Sequence, residues 1–127
     1  MVNIDIEFQK FLVDTFKDKQ KLLMIEEPAE LIQAITKASR NGATEYDVDH
    51  LAEEIADTYA VIEQLKYMYS IDDKQIQKWI DYKRERTQNT VDKILSKAKL
   101  NKAKKNTKRN KVKTRAKLNR AIKLFVK

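Results

Sequence analysis

The chain of 127 residues contains no cysteine and only one glycine, one proline, one tryptophan and one histidine. Without cysteine there is no disulfide framework and no thiolate metal site, which fits a reducing cytoplasm. So few turn residues cannot supply the corners of a sandwich or barrel. The abundant Lys, Glu, Ile, Leu and Ala suit a few long helices joined by short loops. No apolar run approaches the ~18–20 residues of a membrane span. The opening stretch MVNIDIEFQKFLVDTF is acidic and interrupted by charges, unlike a signal peptide. The expected class is all-α.

Acid, too, is missing from one part of the chain. Residues 1–92 contain 12 Lys or Arg against all 19 Asp and Glu, a balance of −7. Residues 93–127 contain 15 cations and no acid, which brings the whole chain to +8. We therefore expect two parts: an acidic helical domain over residues 1–92 and a basic C-terminal extension over 93–127.

Apolar periodicity places the helices. The first should run from about Ile4 to Lys19, with Ile4, Phe8, Phe11, Leu12 and Phe16 at helical spacing. On this reading Phe8, Phe11 and Phe16 are core. A second helix covers roughly Leu22 to Arg40, and Arg40-Asn41-Gly42 is a stop signal. Asp47 is the expected N-cap of a third helix reaching about Tyr69, with Leu51, Ile55, Thr58, Val61, Ile62, Leu65 and Met68 on one broad face. Asp72 with Gln75 forms a capping box for a fourth helix, which together with the first three would make a four-helix bundle. Beyond Leu100 the chain should be solvated or only marginally helical, apart from a basic amphipathic stretch over residues 111–127.

Acidic residues interrupt the apolar stripe of the second helix at IEEPAELIQA, residues 25–34. On a projection of 100° per residue with Glu27 at 0°, Glu30 falls at about 300°, Ala34 at about 340° and Leu31 at about 40°. Glu27 and Glu30 thus share the apolar sector, with Glu26 at its edge. The third helix repeats the pattern: with Glu54 at 0°, Asp57 falls at about 300° and Val61 at about 340°, and Glu53 sits at the edge. Helices joined by a short loop pack antiparallel, so four carboxylates would converge between them. Such charges repel unless a cation joins them, and hard oxygen donors without His or Cys point to Mg²⁺, or Mn²⁺ in its place. A di-iron centre needs Glu-x-x-His on two helices. The single histidine, His50, precedes the acids and reads as a helix-start or hydrogen-bonding residue. Pro28 implies a local kink or a late start of the second helix.

Glu26-Glu27-x-x-Glu30 followed by Glu54-x-x-Asp57 resembles the signature of the MazG-like, all-α nucleoside triphosphate pyrophosphohydrolases, over about residues 5–92. The compact body and the phrase YKRERT look most like the small phage and prophage members, in which case the cytoplasm is that of the host. The resemblance implies hydrolysis of a (deoxy)nucleoside triphosphate to the monophosphate and pyrophosphate by dimers or tetramers of helical bundles. It also implies that Glu27, Glu30, Glu54 and Asp57 hold Mg²⁺, with Glu26 a ligand through water or a general base. Glu53 is the other candidate base.

Phosphate binding needs cations, and Lys83 and Arg86 stand one turn apart on the fourth helix, with Trp79 and Tyr82 available to stack on a base. Both pairs also read as an ordinary charged face and core aromatics. The basic extension suits sequence-independent association with nucleic acid. Alternatives for it are a solubilising extension or a membrane-surface helix. The rival to the enzyme reading is a non-catalytic nucleic-acid-binding or regulatory protein on the same scaffold.

Overall fold

A computed structural model describes residues 1–125, and among these it contains four helices and no strand. The helices are α1 (Ile6–Phe16), α2 (Asp18–Asn41), α3 (Glu45–Met68) and α4 (Asp73–Phe125). The all-α expectation is met. The chain divides into two units, Met1–Ile76 and Gln77–Lys127.

In the first unit α1, α2 and α3 pack on one another, α2 against α3 most extensively. The bundle this unit forms by itself therefore has three helices where four were expected. Its termini follow local rules. Asp5 caps α1, its side chain accepting from the Phe8 amide at 3.0 Å. The α1–α2 junction is a single residue, Lys17, at φ 48°, whose amide donates to the Val13 carbonyl at 2.9 Å. Periodicity alone left a longer gap there, because nothing in the sequence marks a one-residue corner.

Gly42 ends α2 in the left-handed region at φ 75°, as the Arg40-Asn41-Gly42 signal requires. The start of α3 corrects the assignment of Asp47 as N-cap. Thr44 is the cap, and Asp47 closes the capping box from the third position. Its Oδ2 accepts from the Thr44 hydroxyl at 2.7 Å and from the Thr44 amide at 3.2 Å. The hydrogen bond from the Thr44 side chain, ahead of a smaller one from Asn41, holds the buried Asp47 carboxyl below the usual carboxylate range. The Asp72–Gln75 box is present, with the Gln75 amide donating to Asp72 at 2.8 Å and the Asp72 amide to Gln75 at 2.9 Å.

The core is small in side-chain volume. Its buried apolar residues are Val13, Met24, Ala34, Ala38 and Val61. An equal number of buried residues are polar: Gln9, Gln20, Asp47, Glu54 and Gln64. Three of these form a chain across the unit. Gln20 Nε2 of α2 donates to Gln64 Oε1 of α3 at 2.9 Å, and Gln64 Nε2 donates to Gln9 Oε1 of α1 at 2.7 Å. Each helix thus contributes one amide to a buried hydrogen-bonded line, which fixes their relative register.

The aromatic assignment for α1 is overturned. Phe8, Phe11 and Phe16 are 51%, 58% and 48% exposed, while Gln9 and Val13 take the inward face. The reason is the amide chain: Gln9 must face Gln64, and that rotation carries Phe8 and Phe11 outward, where their rings stack at 6.2 Å.

The helix α4 has no buried residue among those described. It continues through residues 101–125, where marginal helicity was expected, and includes the expected helical stretch from residue 111 to the end of the described chain; residues 126 and 127 lie outside it. Two features account for its continuity. No Gly or Pro occurs in this helix, and Lys, Ala, Leu and Arg are strong helix formers. The described residues contain no helix long and apolar enough to cross a membrane.

Replacing Gln64 by Ala would strand the amides of Gln9 and Gln20 in the interior. We expect a loss of about 2–3 kcal/mol of stability in urea denaturation, well above that of an exposed Gln33→Ala control.

Candidate metal centre

Five of the six predicted carboxylates form two overlapping triads, one shared by α2 and α3 and one on α3. Ligand oxygens of Glu27, Glu30 and Glu54 lie within 4.8 Å of one another, and so do those of Glu53, Glu54 and Asp57. Glu54 belongs to both triads and is the hinge of the site, only 4% exposed. Glu27 and Asp57 are half-buried, while Glu30 and Glu53 stand at the exposed rim. Glu26 is exposed and belongs to neither triad.

Local structure explains the convergence. Spacing of i and i+3 puts Glu27 with Glu30 on one face of α2 and Glu54 with Asp57 on one face of α3. The small buried residues Ala34 and Ala38 lie farther along the same stripe of α2, so the backbones can approach closely. Pro28 lies well inside α2, which begins at Asp18, so the late-start alternative is not what the structure adopts. Proline has no N–H for the Met24 carbonyl, one turn earlier, in the turn that carries Glu26 and Glu27.

The electrostatics are those of a site lacking countercharge. Glu27 is pushed from 4.5 up to about 7, first by burial and then by the charge of Asp57, with Glu30, a hydrogen bond to Asp57 and Glu54 adding to it. The Glu54 carboxyl is also raised, first by burial and then by Glu30; His50 opposes the shift, and Asp57 and Glu53 reinforce it. Two oxygens, Glu27 Oε2 and Glu54 Oε2, are buried with no hydrogen-bond partner. Buried polar atoms in folded proteins nearly always have partners, so two orphans in one cluster of acids are oxygens that could serve a cation. A hard divalent cation with oxygen donors fits this donor set.

His50 stands beside these acids near the start of α3. Its Nδ1 lies 3.5 Å from Glu53 and its Nε2 lies 3.8 Å from Glu54. The imidazole stacks on Tyr46 at 6.2 Å, which holds it beside the acids. The i, i+4 spacing to Glu54 was the signal for this contact in the sequence.

The residues predicted to meet substrate lie on α4 in the second unit, and all four are exposed. Trp79 and Tyr82 pack edge to face at 5.8 Å, and the Arg86 guanidinium lies 6.0 Å from the Tyr82 ring centre. Their reading as core aromatics does not hold, since Trp79 is 59% and Tyr82 53% exposed. No family model, no curated protein and no solved structure matches the chain.

The raised carboxyls set the pH dependence of the metal-free protein. A folded-state value of about 7 against 4.5 when unfolded means that Glu27 binds more protons folded than unfolded between those limits. Stability therefore falls as pH rises from about 4.5 to about 7, and Glu54 acts in the same direction. In EDTA we expect the melting temperature to drop over that interval, and Glu27→Gln to flatten the drop and melt above the parent at pH 8. Scanning fluorimetry across pH measures both.

Proposed function

We propose that the protein is a Mg²⁺-dependent nucleoside triphosphate pyrophosphohydrolase, a hydrolase of phosphoric anhydrides in the manner of the MazG-like proteins it resembles in sequence. The observation that carries this reading is the pair of carboxylate triads sharing Glu54, with its two orphan buried oxygens. A module built only to bind another macromolecule has no reason to turn acids inward at the cost of their own repulsion.

In this reading Glu27, Glu30, Glu54 and Asp57 hold the metal, with Mn²⁺ able to replace Mg²⁺. When bound, the ion supplies charge neutralisation on the triphosphate and acidifies the attacking water. The carboxylates at the rim do the proton chemistry. Glu53 is exposed at the edge and paired with His50, and Glu26 is exposed on α2. Either accepts a proton from water if it is left out of the metal's ligand set. We assign Lys83 and Arg86 to phosphate contacts, and Trp79 and Tyr82 to stacking on the base.

A second copy of the chain belongs to the proposal. The helix α2 has a further apolar stripe opposite its acids, where Ile32 is 65% and Ile35 50% exposed. The helix α3 has a matching one, where Ile55 is 42% and Ile62 44% exposed. Two-sided helices of this kind are covered in a helical homo-oligomer, either a dimer or a tetramer.

The test is release of pyrophosphate from a panel of nucleoside triphosphates, with and without Mg²⁺. We expect Mg²⁺-dependent turnover that falls at least a hundredfold in Glu54→Gln, which keeps the shape of the side chain. The variant Arg86→Gln should raise KM with a smaller effect on kcat. If Glu54→Gln turned over as fast as the parent, the enzyme reading would be lost. Sedimentation should give a species larger than the monomer, shifted towards monomer by Ile32→Glu combined with Ile35→Glu.

A further inference from the structure

Residues 93–125 contain fourteen lysines and arginines and no carboxylate to pair with them, on a continuous, fully exposed helix. What the helix adds to the composition is where these cations point. On a projection with Lys93 at 0°, they spread from about 0° to about 240° and leave the remaining third of the circumference empty. One row, Lys93, Lys104, Lys111 and Arg115, lies between about 0° and 40°. A second, Lys99, Lys102, Lys117 and Arg120, lies between about 180° and 240°. The empty sector holds small or uncharged residues, Ala103, Thr107, Asn110, Thr114 and Ala121, with Leu100, Leu118 and Phe125 toward one edge.

This distribution selects among polyanions. A helix lying on an anionic membrane needs a broad apolar face to bury, and here the cation-free sector is narrow and broken by Thr107, Asn110 and Thr114. A helix lying in a nucleic-acid groove needs a slim face toward the groove floor and cations on both flanks, one row for each phosphate strand. The major groove of B-form DNA admits an α-helix, whereas that of A-form RNA is too narrow. The flanking rows carry no aromatic residue for stacking on unpaired bases, which disfavours a single-stranded target.

We propose that the helix over residues 93–125 binds along the major groove of duplex DNA, its cation-free stripe on the groove floor and its two basic rows on the two phosphate strands. The contacts are to phosphate, so binding is indifferent to sequence. The 33 residues span about 50 Å at 1.5 Å each, and a straight helix stays within a curving groove for only part of that length. About six phosphate contacts is the corresponding scale. This inference stands independently of the catalytic proposal, since it uses no residue of the carboxylate site.

The experiment is fluorescence anisotropy of the full chain with a labelled 30-base-pair duplex of arbitrary sequence, from 50 to 300 mM salt. Log affinity should fall with log salt with a slope of about −5 to −6. Combined Lys104→Gln, Lys108→Gln, Lys111→Gln and Arg115→Gln removes three of the four cations named in the first row and the neighbouring Lys108, while retaining helix formers. It should weaken binding at least tenfold at 100 mM salt and lower the slope by about 3. The variant Ala103→Pro keeps every charge but breaks the helix, and should weaken binding at least fivefold. Circular dichroism separates loss of the helix from loss of the bundle. Absence of duplex binding at 50 mM salt would overturn the proposal, as would unchanged affinity in the four-site variant. An Ala103→Pro protein binding like the parent would do so too, by showing that charge alone suffices. Tighter binding to phosphatidylserine vesicles, to single strands or to duplex RNA would reassign the helix to that target.

Discussion

Mutual repulsion among carboxylates held between two packed helices is the constraint on which the first unit turns. Among the described residues nothing offsets it fully: His50 reaches Glu53 and Glu54, yet two carboxylate oxygens are left buried without a partner. Burial and neighbouring acids then push Glu27 up to about 7, so the metal-free protein answers the repulsion by keeping a proton. A proton and a divalent cation compete for the same oxygens, and linkage makes the two equilibria interdependent. A cation seated among these oxygens would relieve that repulsion.

That repulsion has to be held in place by something else, and large apolar side chains are not what holds it. The interior consists of Val13, Met24, Val61 and two alanines, with the Gln9–Gln64–Gln20 line across all three helices. Alanines bring α2 and α3 close, and the amide line fixes their register, so the acids meet at a defined depth. The same economy leaves Phe8, Phe11 and the outer isoleucines uncovered, which is why a second copy of the chain enters the functional reading.

How much of this could be read from the sequence depended on the kind of signal. The carboxylate site was legible because four acids break two apolar stripes at i, i+3 spacing, a pattern that fixes direction as well as helix identity. Gly42 and the Asp72–Gln75 pair were legible because caps are local chemistry. The inward face of α1 was not. Hydropathy favours Phe8, Phe11 and Phe16 for the interior; the three-dimensional partnership of Gln9 with Gln64 turns Phe8 and Phe11 outward, and Phe16, on the Gln9 side of the helix, is exposed where α1 ends. A buried amide whose partner is 55 residues away has no signature in one dimension. Thr44 was missed as a cap because Asp47 is an equally good cap by type, and the two differ only in which residue has helical backbone geometry. The length of α4 is not legible from apolar periodicity, because this helix follows its propensity through a stretch with nothing buried.

Charge segregation joins the two readings in one physical statement. Acids and bases in equal mixture would have neutralised one another along helix surfaces through i, i+4 pairs, as Lys10 with Glu7 and Lys66 with Glu63 do over the shorter i, i+3 spacing. The sequence instead withholds acid from residues 93–127 and turns acids inward on α2 and α3, so each part is left needing a counterion from outside. The geometry of each deficit decides what can fill it. Oxygens converging within 4.8 Å, with two of them shielded from water, suit one small, hard, multiply charged ion and reject an extended one. Cations repeated along an exposed helix, with no point of convergence, gain nothing special from a small ion. They suit an anion whose charges repeat over tens of ångströms, and the phosphate backbone proposed above has that form.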